Sequence, residues 1–332
     1  MEPILIITIA IVIFALVFDF INGFHDTANA IATAVSTKAL KPRHAILMAA
    51  VMNFLGALMF TGVAKTITKD IVDPFTLNNG SVVILAALLA AIIWNLVTWY
   101  YGIPSSSSHA LIGAVAGAAI ASAGFNALHY SGFIKIIIAL IVSPILAFVI
   151  GYIMYSIFKV IFKNNNLSRT NRNFRFVQIF TAALQAFSHG TNDAQKAMGI
   201  ITMALITAGL QTGDDVQHWV QISCATAMGL GTAIGGWKII KTVGGNIMKI
   251  RPANGVAADL TSALIIFGAT HIHLPVSTTH VVSSSILGVG SSHRVKGVKW
   301  TTAQRMITTW VITLPISAGI AALIFWVLNI FI

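Results

Sequence analysis

Hydrophobic positions fall in long runs. Pro3 to Phe20, His44 to Val63, Ser81 to Tyr101, Ala110 to Phe125, Phe133 to Phe158, Gln221 to Trp237, Val256 to His271 and Thr309 to Ile332 each approach the ~20 residues that a helix needs to cross a bilayer. The pattern predicts an all-α polytopic membrane protein. The first run has no basic segment before it and only Glu2 among charges, so it reads as a retained helix and not a cleaved signal. Two polar interruptions stand out between these runs, PSSSSH at 104 to 109 and PVSTTH at 275 to 280.

The interruptions belong to a repeat. NGFHDTAN (22 to 29) aligns with HGTNDAQK (189 to 196), which pairs Gly23 with Gly190 and Asp26 with Asp193. VMNFLGALMFTGVAKT (51 to 66) aligns with AMGLGTAIGGWKIIKT (227 to 242), and PSSSSH with PVSTTH, in the same order along the chain. Two homologous halves are expected, 1–158 and 176–332, joined by a polar, basic linker at 159–175.

Loop charges relate the halves. KALKPRH (38 to 44) carries three basic residues, whereas its counterpart QTGDDVQH (211 to 218) carries two aspartates and no Lys or Arg. The bias reverses at the next pair: 65–73 has two basic and two acidic residues, and 238–251 has four basic and none acidic. The pair 126–135 and 293–305 repeats that reversal, with one lysine against four basic residues. Basic loops favour the cytoplasmic side, so corresponding loops face opposite sides. With the linker inside, each half crosses an odd number of times and both termini lie outside. That is the inverted-repeat plan of secondary transporters, with substrate held where the halves meet near the midplane. About 10–12 membrane segments are expected, some of them broken or re-entrant, and loop parity leaves open whether 81–125 and 256–290 cross fully.

Composition sharpens this picture. Of 332 residues 57% are hydrophobic and 9% charged, against roughly a quarter charged in soluble domains. The net charge of +11 lies mostly in loops, where it reads as a topology signal and not a nucleic-acid surface. The single Cys224 excludes an internal disulfide framework and a multi-cysteine metal site.

Candidate chemistry follows from polar groups at membrane depth. Asp19, Asp26, Asp193 and Asp259 lie in or beside apolar runs, and a carboxylate there is a functional candidate because it is costly to bury unpaired. Glu2, Asp70, Asp73, Asp214 and Asp215 fall in loops or at the terminus. The run from Pro3 to Thr37 is too long for one straight crossing, so a helix break is expected near Asn22–Gly23, with a matching one at Ser188 to Thr191. Carboxylate, amide and freed carbonyl oxygens together suit a hard cation such as Na+, and a carboxylate alone could carry a proton.

Proline followed by Ser and Thr marks a helix start, where free N–H groups and hydroxyls attract anions. Ser105, Ser106, Ser107 and Ser108 facing Ser277, Thr278 and Thr279 would form a cage for a small tetrahedral oxyanion. His109 and His280 follow these runs, His25 adjoins Asp26, and His189 precedes Asp193 by four residues. Lys38, Lys196 and Lys241 fall near the site or its rim, and Lys196 is the candidate partner of Asp193 or of the anion. Asn95 is a lone amide in an apolar run, His271 and His273 mark a segment end, and His44, His129, His218 and His293 read as boundary residues. An intramembrane serine hydrolase is disfavoured, since Ser108 and His109 are adjacent and no G-x-S-x-G elbow occurs. No enzyme is expected.

GFHDTANAIATAVSTKALKP, GIPSSSSHALIG, SHGTNDAQKAMGIIT and LPVSTTHVVSSSILG resemble the signature blocks of the inorganic phosphate transporter (PiT) family, in its bacterial low-affinity branch. The resemblance runs nearly the whole chain. It implies phosphate import by Na+ or H+ symport in the cell membrane, with no cofactor beyond the co-transported ion; some bacterial members move sulfate instead. Carried onto this sequence, the paired signature falls on Gly23, Asp26 and Asn29 and on Gly190, Asn192 and Asp193, and the anion turns on Ser105 to Ser108 and Ser277 to Thr279. A Na+ site would use Asp26, Asn29, Asn192 and Asp193, with His25, Lys196, His109 and His280 as accessories. His25 stands where the second copy has Asn192, and Asn29 where it has Lys196, so the cation sites are not equivalent. The coupling ion, transport of a metal-phosphate complex and pairing as a homodimer stay open at the level of sequence.

Overall fold

The computed structural model describes residues 2–72, 79–164 and 166–331, so Asp73 lies outside the described residues. Apart from one isolated bridge between Val72 and Leu128, their regular structure is helical. The first half comprises α1 (Glu2–His25), α2 (Thr27–Ser36), α3 (Pro42–Ala57), α4 (Gly62–Asp70), α5 (Gly80–Tyr100), α6 (Ser107–Ala123) and α7 (Tyr130–Ile161). The second comprises α8 (Leu167–Thr207), α9 (His218–Ile234), α10 (Trp237–Gly245), α11 (Pro252–His271), α12 (Thr278–Arg294) and α13 (Trp300–Phe331). The repeat is visible in the lengths: α6 and α12 have 17 residues each, and α7 and α13 have 32 each.

Packing exchanges elements between the halves. α6 lies on α13 and α12 on α7. Gly113 and Gly117 abut the backbones of Leu314 and Ala318, while Gly288 and Gly151 abut those of Phe148 and Ser285. Lipid offers helices no hydrophobic drive to associate, so close contact through small residues carries the packing. Only 22% of the most apolar stretch of α13 and 28% of that of α7 is buried in protein, against 67% for α5 and α11. α7 and α13 therefore face lipid more than α5 and α11 do. α5 and α11 line the interior.

Local sequence explains where the helices begin. Pro42 and Pro252 open α3 and α11 after extended Lys41 and Arg251, a position where the missing N–H of proline costs nothing. At the two polar turns the caps are Ser106 and Ser277, whose hydroxyls accept from the backbone N–H groups of His109 and His280 at 3.1 and 3.2 Å. Both turns are buried, so the tips of the α5–α6 and α11–α12 hairpins meet inside the protein. They touch directly: Ser108 Oγ donates to Val276 O at 2.8 Å, and the His109 and His280 rings lie 4.5 Å apart.

Three sequence expectations are corrected. α1 runs through Asn22–Gly23, and the interruption falls three residues later at Asp26, where Asn29 N–H turns to Asp26 O at 3.0 Å. The matching break at Ser188 to Thr191 is absent, because α8 continues from Leu167 to Thr207. The glycines explain both results. Gly23 abuts the backbone of Met228 to Thr232 on α9, and Gly190 abuts Asn53 on α3, so each serves close packing and not unwinding. The run His44 to Val63 is not one straight segment, since α3 and α4 meet at a 68° bend.

Candidate functional site

Where the hairpin tips meet the middle of α1–α2 and α8, polar side chains from both halves converge and are buried. The interruption at Asp26 aims its carboxylate at both tips. Ser107 Oγ donates to Asp26 Oδ2 at 2.5 Å, and Thr279 Oγ1 donates to Asp26 Oδ1 at 2.9 Å. His25 Nδ1 pairs with the same Oδ1 at 2.7 Å, and its Nε2 lies 3.2 Å from Thr98 Oγ1. Asn29, one turn along, donates to Thr279 Oγ1 at 2.9 Å.

Asp193 is the centre of the second arm. Lys196 Nζ lies 2.8 Å from Asp193 Oδ2, and Thr278 Oγ1 donates to that oxygen at 3.2 Å. Lys196 also donates to Ser107 Oγ at 3.0 Å. One ammonium thus ties the carboxylate of the second half to the hydroxyl turn of the first. His189 Nε2 lies 3.3 Å from Asp193 Oδ2, at ion-pair range, while its Nδ1 meets Asn53 Oδ1 at 2.9 Å.

The structure gathers most, not all, of the expected cage. Ser107, Thr278 and Thr279 face the carboxylates. Ser106 and Ser277 turn back as helix caps, Ser106 also taking the His109 ring at 2.9 Å. Ser105 donates to Thr98 Oγ1 at 2.8 Å. Asn192 is directed at the second tip's backbone, donating to Leu274 O at 3.1 Å and accepting from Val276 N–H at 3.2 Å. His280 stacks on Trp310 with centroids 4.0 Å apart. The side chain of Lys241 lies outside the described residues, and Lys38 closes the end of α2 with a positive φ of 59°.

Sequence reasoning missed Thr98, Asn53 and Thr270. Each is a polar residue within or at the edge of an apolar run, the signal that had singled out Asn95 instead. Thr98 joins His25 to Ser105, Asn53 joins His189 to Thr27 at 2.9 Å, and Thr270 accepts from Asn192 at 3.0 Å. The side-chain amide of Asn95 is buried without a hydrogen-bond partner among the described residues. Asp19 is likewise buried and unpartnered, within reach of the charges of Asp193 and Lys196. Asp259 lies in a separate buried cluster, where Thr33 Oγ1 donates to it at 2.6 Å and Thr181 Oγ1 at 3.3 Å.

A hard cation needs oxygen ligands. Asn29 Oδ1 and Asp193 Oδ1 are buried acceptors with no hydrogen-bond partner among the described residues, one on each arm. Both suit a cation carried as cargo. Among the described residues no group of three or more His, Cys, Asp or Glu forms a cluster fit for a transition metal.

Fold and site together define a multi-pass helical membrane protein with two homologous halves and paired hydroxyl turns buried at their junction. The sequence profile of the phosphate transporter family matches residues 22–173 and 163–321. A probable low-affinity inorganic phosphate transporter of Bacillus subtilis (strain 168) is 78% identical over 99% of both chains. Its counterpart in Rhizobium meliloti (strain 1021) is 43% identical over 98% of this chain and 96% of that one. Among solved structures, the sodium-dependent phosphate transporter superposes with a TM-score of 0.90 at 26% identity, covering 98% of this chain and all of the other. The chain belongs to the phosphate transporter family.

Proposed function

We propose that this protein imports inorganic phosphate together with Na+ by alternating access, with the oxyanion held by Ser107, Thr278 and Thr279 between Asp26 and Asp193. The carrying observation is Asp26, whose two oxygens accept from Ser107 of one half and Thr279 of the other. A carboxylate in the cage favours a ligand that keeps a proton to donate. Hydrogen phosphate does; sulfate, fully ionised, brings no donor to the carboxylates. Asn29 Oδ1 and Asp193 Oδ1 support cation binding on each arm, and the sodium dependence in the structural relative's name favours Na+ over H+. Lys196 offsets the negative charge that the anion and two carboxylates bring together. The two repeats are 1–158 and 176–332, with 159–175 cytoplasmic and both termini outside.

Radiolabelled phosphate uptake into proteoliposomes under an imposed Na+ gradient, then a proton gradient, each against excess unlabelled sulfate, tests this reading. Na+-driven uptake indifferent to sulfate is expected, and it should vanish in Asp26→Asn and in Asp193→Asn while folded protein remains in the membrane. Uptake driven only by protons would move the coupling to Asp26 or Asp193 with His25. Suppression by sulfate would overturn the substrate, and retained gradient-driven uptake in both variants would overturn the site.

A further inference from the structure

Of the side chains that carry two polar atoms, Asp19, Asn22 and Asn95 are the ones among the described residues that leave both atoms buried and unpartnered. All are fully buried. Asn22 follows Asp19 by three residues and Asp26 follows Asn22 by four, so they share one face of α1 and form a polar stripe that ends in the cage.

Asn95 reaches the same level from α5. His25 Nε2 lies 3.2 Å from Thr98 Oγ1, and the rings of Phe24 and Trp99 lie 5.2 Å apart between centroids, which sets the end of α1 beside the end of α5. The two helices run the same way. α2 carries the course of α1 onward to α10, and Thr242 of α10 donates to Gly102 O, just beyond α5, at 3.1 Å. Asn22 precedes His25 by three residues and Asn95 precedes Thr98 by three, so the two amides stand level, one turn from the bonded pair.

The carboxylate of this group is uncompensated. Among the described residues no ion pair reaches Asp19. Lys196 lies within electrostatic reach of it, but that ammonium is engaged by Asp193 and Ser107 at 2.8 and 3.0 Å. Phosphate arriving in the cage adds negative charge to Asp19, Asp26 and Asp193 together. A carboxylate buried among membrane helices needs a counter-charge. Water would satisfy the amides and leave the charge; a proton would neutralise Asp19 and leave both amides unmatched. A hard monovalent cation takes oxygens from all three side chains and supplies the charge. We infer that Asp19, Asn22 and Asn95 form a further Na+ site beside the cage, about 10 Å along α1 from Asp26 at 1.5 Å per residue. The inference rests on Na+ as the coupling ion, and in the proposed topology the site lies on the outer flank of the cage.

Melting of the detergent-solubilised chain without phosphate, as NaCl replaces choline chloride at constant ionic strength, tests the site. The melting temperature should climb with the logarithm of Na+ concentration in proportion to the number of ions bound. Asp19→Asn should lose about one ion's share of that slope, and in Na+-free medium it should melt no lower than the wild type, because it removes an uncompensated buried charge. Asn95→Leu exchanges an unpartnered amide for an apolar side chain and should need roughly tenfold more Na+ for the same shift. Asp215→Asn, at a surface carboxylate 86% exposed, should leave the slope unchanged. A wild-type slope in both Asp19→Asn and Asn95→Leu would overturn this site and leave Na+ coupling at the cage standing, whereas a wild type indifferent to Na+ would overturn both. Stabilisation by acid in place of Na+, lost in Asp19→Asn, would give Asp19 a proton and overturn the Na+ assignment. Should Asp19→Asn fail to fold, the Na+ requirement of Asn95→Leu decides.

Discussion

Asp26 Oδ1 accepts a hydrogen bond from Thr279 Oγ1 at 2.9 Å, across 253 positions of sequence. The first half's carboxylate is therefore held by the second half's hairpin, and the bond reports whether the halves are engaged.

Thr279→Val keeps the side-chain shape and removes the donor to Asp26 together with the acceptor for Asn29. Hydrogen bonds to charged groups contribute about 1.5–3 kcal/mol, so uptake should fall by at least about tenfold. Thr279→Ser should retain most of it. Parallel uptake and thermal-stability measurements on both variants check this, and equal uptake in the two would remove the hydroxyl from the mechanism.

Lys196 is fully buried between Asp193 and Ser107. Lys196→Met leaves Asp193 without its closest cation, and breaking a buried pair costs about 3–5 kcal/mol. The variant should melt well below the wild type. Adding Asp193→Asn should recover much of the lost stability and none of the uptake. Melting by fluorescence-detected size exclusion checks both, and a double variant no more stable than Lys196→Met alone would argue against the pair.

Two glycines predict opposite outcomes. A Cβ on Gly231 would collide with the Phe20 backbone, whereas one on Gly268 meets nothing within 4 Å. Gly231→Ala should destabilise by about 1–3 kcal/mol through overpacking. Gly268→Ala, in the last turn of α11, should be neutral or stabilising by up to about 1 kcal/mol. Melting temperatures of the two single variants decide.

Outside the membrane, Lys69 Nζ lies 2.9 Å from Asp214 Oδ2 and holds that carboxyl below its ordinary value. A lowered folded-state pKa contributes stability above the unfolded value of about 3.9 and loses it as pH falls through the folded one. Asp214→Asn should therefore lower the melting temperature slightly at neutral pH and low salt, and not below about pH 3. Lys69 is 59% exposed, so salt should erase most of the difference. A difference independent of pH would assign the effect to something other than this pair.

Much of the architecture was legible because membrane helices and their loops obey one-dimensional rules. The repeat, the paired carboxylates Asp26 and Asp193, and the helix starts at 104–109 and 275–280 could all be read from residue order. The assignment of hydroxyls could not. Ser106 and Ser277 are caps because of where their helices begin, so only the register separates them from Ser107 and Thr278. Gly190 misled for a related reason: glycine permits both unwinding and close approach, and the neighbour that decides, Asn53, is 137 positions away. Thr98 stayed hidden because a lone threonine in a greasy run commonly bonds its own helix, as this one also does to Trp94 O at 2.9 Å.

The unbroken course of α8 has a mechanical meaning. It is a rod of 41 residues, about 60 Å long at 1.5 Å per residue, with Asp193 and Lys196 two-thirds of the way along. A push at its first turns would travel to Asp193 along one continuous helix, as through the arm of a lever. Asp26 sits instead at the one-residue interruption between α1 and α2, which keeps helical dihedrals (φ −89°, ψ −33°) and makes no sharp bend. The two carboxylates of the cage are thus mounted differently, one inside an unbroken helix and one at the seam between two.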